Sequence, residues 1–317
     1  MKVLYLIRDP FIEEYPTIIE EAKRLNAEVK FVHSDSGLTK SQLLQEVEDV
    51  DIIVVAIVKI DQEVIDHAPN LKYIIKFGAG YDNIDVHYAE KKGIVVTNAP
   101  GQNAHSAADL GFSLLLSISR QIAQKDHEMK TGTWQLSMGN EVYGKKLGII
   151  GFGAIGQAIA KRASGFDMSV IAFGHYRNEE KAKELNVTFT ELDELLSTAD
   201  YIILSTSLSE KNRHLINEKT LAKMKPSAFL INISRGGLVN EVDLLAALKN
   251  QVIKGAALDV FEKEPSITEL SKQANVIATP HIGGATFEAV QRINQLTLEN
   301  IQRFINDEQL EHLVSKS

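Results

Sequence analysis

Residues 145–162 read KKLGIIGFGAIGQAIAKR, and how this stretch is parsed decides the fold. The apolar run before the glycines reads as a buried strand. The residues after them carry Ile155, Ile159 and Ala163 at helical spacing on one face. Between the two stands Gly151-x-Gly153-x-x-Gly156. Here the first glycine permits a tight turn, the second lets a pyrophosphate approach the backbone, and the third lets helix and strand pack closely. A helix N-terminus then faces the phosphates. Glycines also simply end strands; the flanking strand and helix are what make this triplet a nucleotide signal.

Outward from that stretch, short β-branched runs alternate with longer segments of helical period, which implies parallel sheets covered by helices. A first series of strands is predicted at 3–7, 27–32, 51–57, 73–77 and 94–98. One long helix then runs from Asn103 to about Gln124, with apolar residues at helical spacing. A second series is predicted at 145–150, 168–173, 201–205, 228–233, 256–261 and 275–279. A last helix begins near Thr286, with room to pack back on the first series. Two chain crossings, near 99–103 and 283–286, then join two α/β domains, and paired crossings suit a hinge. No internal repeat at solenoid period and no low-complexity tract interrupts this pattern.

Composition sets the outer limits. A chain of 317 residues, 44% hydrophobic and 24% charged, can bury two substantial cores. The net charge of -8 argues against nucleic acid or an anionic membrane as the main partner. With no cysteine there is no disulfide framework, thiolate nucleophile or Cys-type zinc site, which suits a reducing interior, and cytoplasmic is the expected compartment. The N-terminal run VLYLI is closed by Arg8-Asp9-Pro10, too soon for a signal sequence or a membrane span, and reads as a first strand. Neither H-E-x-x-H nor G-x-x-x-x-G-K-[ST] occurs, so no metal site is expected.

A dinucleotide site of this kind usually has an acidic residue about 20 positions after the glycines, on the ribose hydroxyls. Here the strand ends VIAFGHYRN, and Gly174 stands where that carboxylate belongs, with His175 and Arg177 just beyond. Without a carboxylate to repel it, a 2′-phosphate could sit against Arg177. Both NAD(H) and NADP(H) are therefore candidates, with NADP(H) slightly favoured. The other meaning of these residues is a solvated basic turn.

Six motifs stand in order along nearly the whole chain: FGAGYDNID (77–85), NAPGQNAHSAADL (98–110), GKKLGIIGFGAIG (144–156), INISRGGLVNEVDLLAAL (231–248), AALDVFEKEP (256–265) and TPHIGGAT (279–286). In these the chain resembles the D-isomer-specific 2-hydroxyacid dehydrogenase family, which includes phosphoglycerate dehydrogenases and glyoxylate/hydroxypyruvate reductases. The resemblance implies two Rossmann-like doubly wound parallel-sheet domains. A nucleotide domain, 101–284, is inserted into a discontinuous flavodoxin-like substrate domain, 1–100 and 285–317. It also implies reversible hydride transfer between a nicotinamide and C2 of a small 2-oxo or 2-hydroxy acid.

By the same resemblance Arg235, Glu264 and His281 align with the catalytic arginine, glutamate and histidine. The chemistry suits them. Arg235 offers a planar fork that can hold a carboxylate and polarise the neighbouring carbonyl. His281 can give a proton to the oxygen that becomes a hydroxyl, and Glu264 can stabilise the imidazolium and fix its tautomer. Glu262 and Lys263 read as exposed loop residues. The resemblance further puts Ala154 and Ile155 against the pyrophosphate and Thr206 near the dinucleotide. The backbone of Ile233 and Ser234 falls beside the nicotinamide, with Asp259 on its carboxamide and Gly283 near the cofactor. Asp259 could equally cap a turn. Gly78, Ala79 and Gly80 match a loop whose N–H groups receive the substrate carboxylate, and Lys76 matches a basic substrate contact.

Departures narrow the substrate. Val55-Ala56 replaces the Arg-Ser pair that phosphoglycerate dehydrogenases commonly use on the substrate phosphate, which counts against 3-phosphoglycerate, although Lys76 keeps D-3-phosphoglycerate dehydrogenase as an alternative. Asp109 stands for the family's usual glutamate. Formate dehydrogenases resemble this group but have glutamine where Glu264 stands. A nucleotide-sensing interaction module like the C-terminal-binding co-repressors is the alternative from another class; nothing suggests added recognition tails. The family carry-over for assembly is a homodimer through the nucleotide domain, with the long helix from Asn103 contributing.

Overall fold

The computed structural model describes residues 1–35 and 37–314; residue 36 and residues 315–317, which belong to the expected substrate domain, lie outside the described residues. The chain divides into two compact units, Met1–Asn103 with Gly284–Ser317, and Ala104–Gly283.

The first unit holds strands β1 (Lys2–Ile7), β2 (Glu28–His33), β3 (Ile52–Val55), β4 (Tyr73–Lys76) and β5 (Val95–Thr97). They form one parallel sheet in the order β2-β1-β3-β4-β5, with Val3 opposite Ile52 and Ile52 opposite Tyr73. The inner strands β3 and β4 are buried along their whole length, so β3 reads as an unbroken apolar run and β4 is apolar up to its last residue, Lys76. At the edge, β2 alternates exposed and half-buried residues. The helix Phe287–Ile305 is capped by Thr286, whose hydroxyl accepts from Ala289 N–H at 3.2 Å. Val290, Ile293, Leu296 and Ile301 on this helix join Tyr5, Ile52, Tyr73 and Ile75 of the sheet in one core.

The second unit holds β6 (Lys146–Ile150), β7 (Ser169–Phe173), β8 (Val187–Phe189), β9 (Tyr201–Leu204), β10 (Phe229–Asn232), β11 (Gly255–Leu258) and β12 (Val276–Ala278). All pair in parallel, in the order β12-β11-β10-β9-β6-β7-β8. The chain builds outward from β6 to β8, then returns to lay β9 on the other side of β6. That reversal opens a crevice at the carboxyl ends of β6 and β9, where sheets of this kind bind ligands.

Two elements differ from the sequence expectation. Strand β8 was not anticipated; three residues, VTF, are too few to show a period, and only pairing with β7 makes them a strand. The long helix stops at Arg120, and a second one, Ile122–Lys130, follows. Gln121 adopts a left-handed backbone, φ 57°, and the Ser119 carbonyl accepts instead from Asn140 N–H at 2.8 Å. A returning segment thus takes a carbonyl that helix continuation would have used. Asp109 joins the long helix to the helix Ala154–Ala163, accepting from Arg162 Nε at 2.7 Å. Among the described residues no helix is long and apolar enough to cross a membrane.

Candidate active site

Three neighbouring parallel strands of the second unit deliver the three expected catalytic side chains. Arg235 follows β10, Glu264 follows β11 and His281 follows β12. The turn after β10 is pinned from within: Asn232 Nδ2 donates to the Arg235 carbonyl at 2.9 Å, Asn232 Oδ1 accepts from Ser234 N–H at 3.1 Å, and the Ser234 hydroxyl donates to the Thr206 carbonyl. A Cβ on Gly236 would collide with the Phe261 carbonyl, so the arginine turn lies directly on the chain leading to Glu264. The Arg235 guanidinium itself donates to the Ser234 carbonyl at 2.8 Å.

His281 and Glu264 are brought together. His281 Nδ1 lies 2.6 Å from Glu264 Oε2, and Glu264 Oε1 accepts from Phe261 N–H at 2.8 Å. Burial pushes the Glu264 carboxyl up. The hydrogen bond and charge of His281, the Phe261 N–H and the charge of Arg235 outweigh it, and the group is held below its usual range. His281 is held in a left-handed conformation, φ 54°, uncommon for a residue with a side chain. Its N–H donates to the Asp259 carbonyl at 2.8 Å.

Asp259, expected on a nicotinamide carboxamide, is sealed from solvent at 0% exposure. Its Oδ1 accepts from Thr279 Oγ1 at 2.6 Å and from Ile282 N–H at 2.8 Å, and its Oδ2 from Gly283 N–H at 2.8 Å. Burial raises its pKa, with those three bonds and the charge of His281 opposing. The side chain ties together the loop that carries His281. Gly283 is part of the same tie: its N–H is spent on Asp259.

The glycine triplet forms a cradle that fits a dinucleotide. Gly151 has φ 100°, and a Cβ there would stand 2.7 Å from Thr206 N. A Cβ on Gly156 would strike the Gly151 carbonyl oxygen, whereas one on Gly153 would meet nothing within 4 Å, leaving the turn open for a phosphate. Ala154 and Ile155 begin the helix Ala154–Ala163, whose first turn receives no side-chain cap from Gly153. Thr206 follows β9 across the crevice. Ile233 is in the core, its side chain filling the space beside Gly111, so only its backbone can face a ligand. At the end of β7, a Cβ on Gly174 would have no neighbour closer than 3.7 Å. His175 packs near Phe173, with ring centroids 6.5 Å apart.

In the first unit the Gly78-Ala79-Gly80 loop follows β4. The carbonyls of Gly78 and Ala79 are occupied, by Ala99 N–H at 2.9 Å and Asn98 Nδ2 at 2.6 Å. Lys76, expected as a substrate contact, is buried at 9% exposure with its ammonium on the Ala56 carbonyl and on Asn83 Oδ1 at 2.7 Å. It ties the end of β4 to the segments that carry Ala56 and Asn83.

Two carboxylates near these segments have partners that local sequence could not reveal. Glu262 is an exposed loop residue as expected, and its carboxylate meets His214 Nε2 and lies 3.5 Å from Arg213. Arg177 is bonded to Glu191 Oε1 at 2.9 Å. Each acid comes from a different strand connection than its partner, so no spacing rule links them.

Comparison with known proteins agrees with this architecture. Residues 112–283 match the family described as D-isomer specific 2-hydroxyacid dehydrogenase, NAD binding domain. The glyoxylate reductase of Pyrococcus furiosus is 41% identical over 300 residues, 91% of this chain and 89% of that protein. The D-lactate dehydrogenase of Aquifex aeolicus, solved with NAD and lactic acid, superposes with a TM-score of 0.87 at 27% identity, covering 100% of both chains. An acyclic imino acid reductase solved with NADPH and D-Arg gives 0.86 at 27% identity, covering 99% of this chain and 100% of that one.

The support role of Asp259 has a direct consequence for stability. Asp259→Ala strips the partner from two backbone N–H groups and should cost about 2–5 kcal/mol in denaturant unfolding, with loss of activity. A variant of unchanged stability that is impaired only in dinucleotide affinity would mean that the carboxylate serves the ligand and not the loop.

Proposed function

The chain belongs to the D-isomer specific 2-hydroxyacid dehydrogenase family, and from that premise we propose that it is an NAD(P)-dependent reductase of small 2-oxo acids, working reversibly on the D-2-hydroxy acids. The observation that carries this reading is the convergence of a guanidinium, a carboxylate and an imidazole at the ends of three adjacent strands, with His281 Nδ1 2.6 Å from Glu264. The second unit is the nucleotide domain and the first the substrate domain.

The bound, reduced nicotinamide supplies a hydride to the carbonyl carbon. Arg235 offers parallel N–H donors to the substrate carboxylate and polarises the adjacent carbonyl. With Nδ1 directed at Glu264, His281 Nε2 is the atom that passes a proton to the carbonyl oxygen, and takes it back in oxidation. Glu264 stabilises the charged ring and fixes its tautomer. In the first unit the loop N–H groups offered to substrate are those of Ala79 and Gly80, since the Gly78 N–H is spent on the Lys76 carbonyl at 2.9 Å. Val55 and Ala56 are buried apolar residues, which leaves 3-phosphoglycerate without the phosphate contact that its dehydrogenases use. For the cofactor, the space beside Gly174 and the nearby Arg177 favour NADP(H), with NAD(H) also accepted.

Glyoxylate, the substrate in the name of the Pyrococcus furiosus relative, is the first acid to assay, beside hydroxypyruvate, pyruvate and bulkier keto acids, each with both reduced nicotinamides. Turnover of at least one small 2-oxo acid is expected, and none at all would defeat the reading. His281→Ala should lower that turnover by about 10²-fold or more while sparing dinucleotide binding. Reduction that survives the change would remove the proton-donor role.

Against its burial, His281, the Phe261 N–H and Arg235 hold the Glu264 carboxyl below its usual range, so its charged form persists to lower pH than that of a free carboxyl. Glu264→Gln removes that titrating group, and the acid limb of the pH profile of reduction should change shape, with a loss of turnover. An identical profile in the variant would dissolve the pairing.

The assembly proposed is a homodimer through the second unit. Trp134, Leu136 and Met138 alternate along an irregular segment at 89%, 88% and 84% exposure, an apolar set that a monomer seldom leaves in water. The helix Ala104–Arg120 contributes. Light scattering should give twice the 35.1 kDa chain mass, and Trp134→Asp should shift it toward one; a monomeric native protein would exclude the dimer.

A further inference from the structure

The carboxylate missing from position 174 is present one strand away. Strands β7 and β8 pair with Ala172 opposite Phe189. The pairing continues past the strand ends, because Thr190 N–H donates to the Ala172 carbonyl at 2.9 Å. Gly174 and Glu191 both lie just past these paired strand ends, Gly174 directly after β7 and Glu191 directly after Thr190. There Glu191 Oε1 accepts from Arg177 at 2.9 Å, and the same guanidinium lies 5.6 Å from the centre of the Phe189 ring. Glu191 precedes the helix Leu192–Thr198 but makes no side-chain cap to it. Its carboxylate is turned to the arginine instead.

We propose that Glu191 sets the choice between the two dinucleotides by competing with a 2′-phosphate for Arg177. This rests on the reading that Arg177 faces the adenosine ribose. A phosphate monoester offers three acceptor oxygens and more charge than a carboxylate, so it can displace Glu191 from the guanidinium fork. The displaced carboxylate then stands beside a second anion. NADH asks for no such exchange, and the ion pair stays closed beneath its ribose. The native chain therefore takes both cofactors, and the penalty on NADPH is the strength of the Arg177–Glu191 pair. Both partners are well exposed, 42% and 79%, so the penalty is modest and screened by salt.

The test is a double-mutant cycle read by binding, with dissociation constants for NADPH and NADH taken from the fluorescence of the reduced nicotinamide at low ionic strength. Glu191→Gln should tighten NADPH roughly three- to fivefold relative to NADH, the range an exposed ion pair allows. That gain should vanish in the Arg177→Ala background. If Glu191→Gln leaves the NADPH:NADH ratio unchanged while Arg177→Ala weakens NADPH, the competition is wrong and the cofactor reading stands. If Arg177→Ala weakens both dinucleotides equally, or neither, the cofactor reading falls and takes the competition with it. A gain that persists in full without Arg177 would mean direct repulsion of the phosphate, and would also overturn the proposal.

Discussion

The geometry of the second unit's site depends on one buried carboxylate. Asp259 is carried to the end of β11, sealed from water, and surrounded by three donors from the loop 279–283. Placing a carboxylate in such a position is costly, and burial does raise its pKa. The donors offset the cost only if the loop keeps one shape. That shape includes a left-handed histidine, φ 54°, a conformation that persists only where its surroundings over-determine it. The backbone of Asp259 joins in, accepting the His281 N–H at 2.8 Å.

From that anchor the remaining parts follow by adjacency in a parallel sheet. Each crossover returns the chain to the same edge, so residues far apart in sequence leave neighbouring strands side by side. The turn after β10 brings Arg235 against the chain after β11, with glycine at 236 because a side chain would overlap Phe261. Glu264 then bridges the two sides, accepting from Phe261 N–H and meeting His281 Nδ1. Its carboxyl is held low although burial works the other way.

Much of this was legible in order along the chain. The triplet Gly151, Gly153 and Gly156 announces itself because a tight turn and a close crossing exclude a side chain at 151 and 156 while glycine at 153 leaves an open approach, all within six residues. Strands β3 and β9 are unbroken apolar runs because both faces are covered. Arg235, Glu264 and His281 were legible only through motifs, since no spacing links an arginine, a glutamate and a histidine from three connections. Less was legible where partners decide. Lys76 looks the same on the page whether it binds a ligand or braces Asn83. Strand β8 is visible only beside β7, and the helix from Ala104 stops at Arg120 because Asn140, twenty residues on, takes its carbonyl.

The sequence by itself determined the two α/β series, the nucleotide loop and the order of the motifs, because hydrophobic period and turn chemistry act between residues a few positions apart. Tertiary structure alone decided which charges face one another: Glu262 with His214, Glu191 with Arg177, and Asp259 with the loop of His281. An ionised side chain selects its partner by distance through space and by the water excluded around it. Strand order sets both, and strand order is not written in any local stretch of the chain.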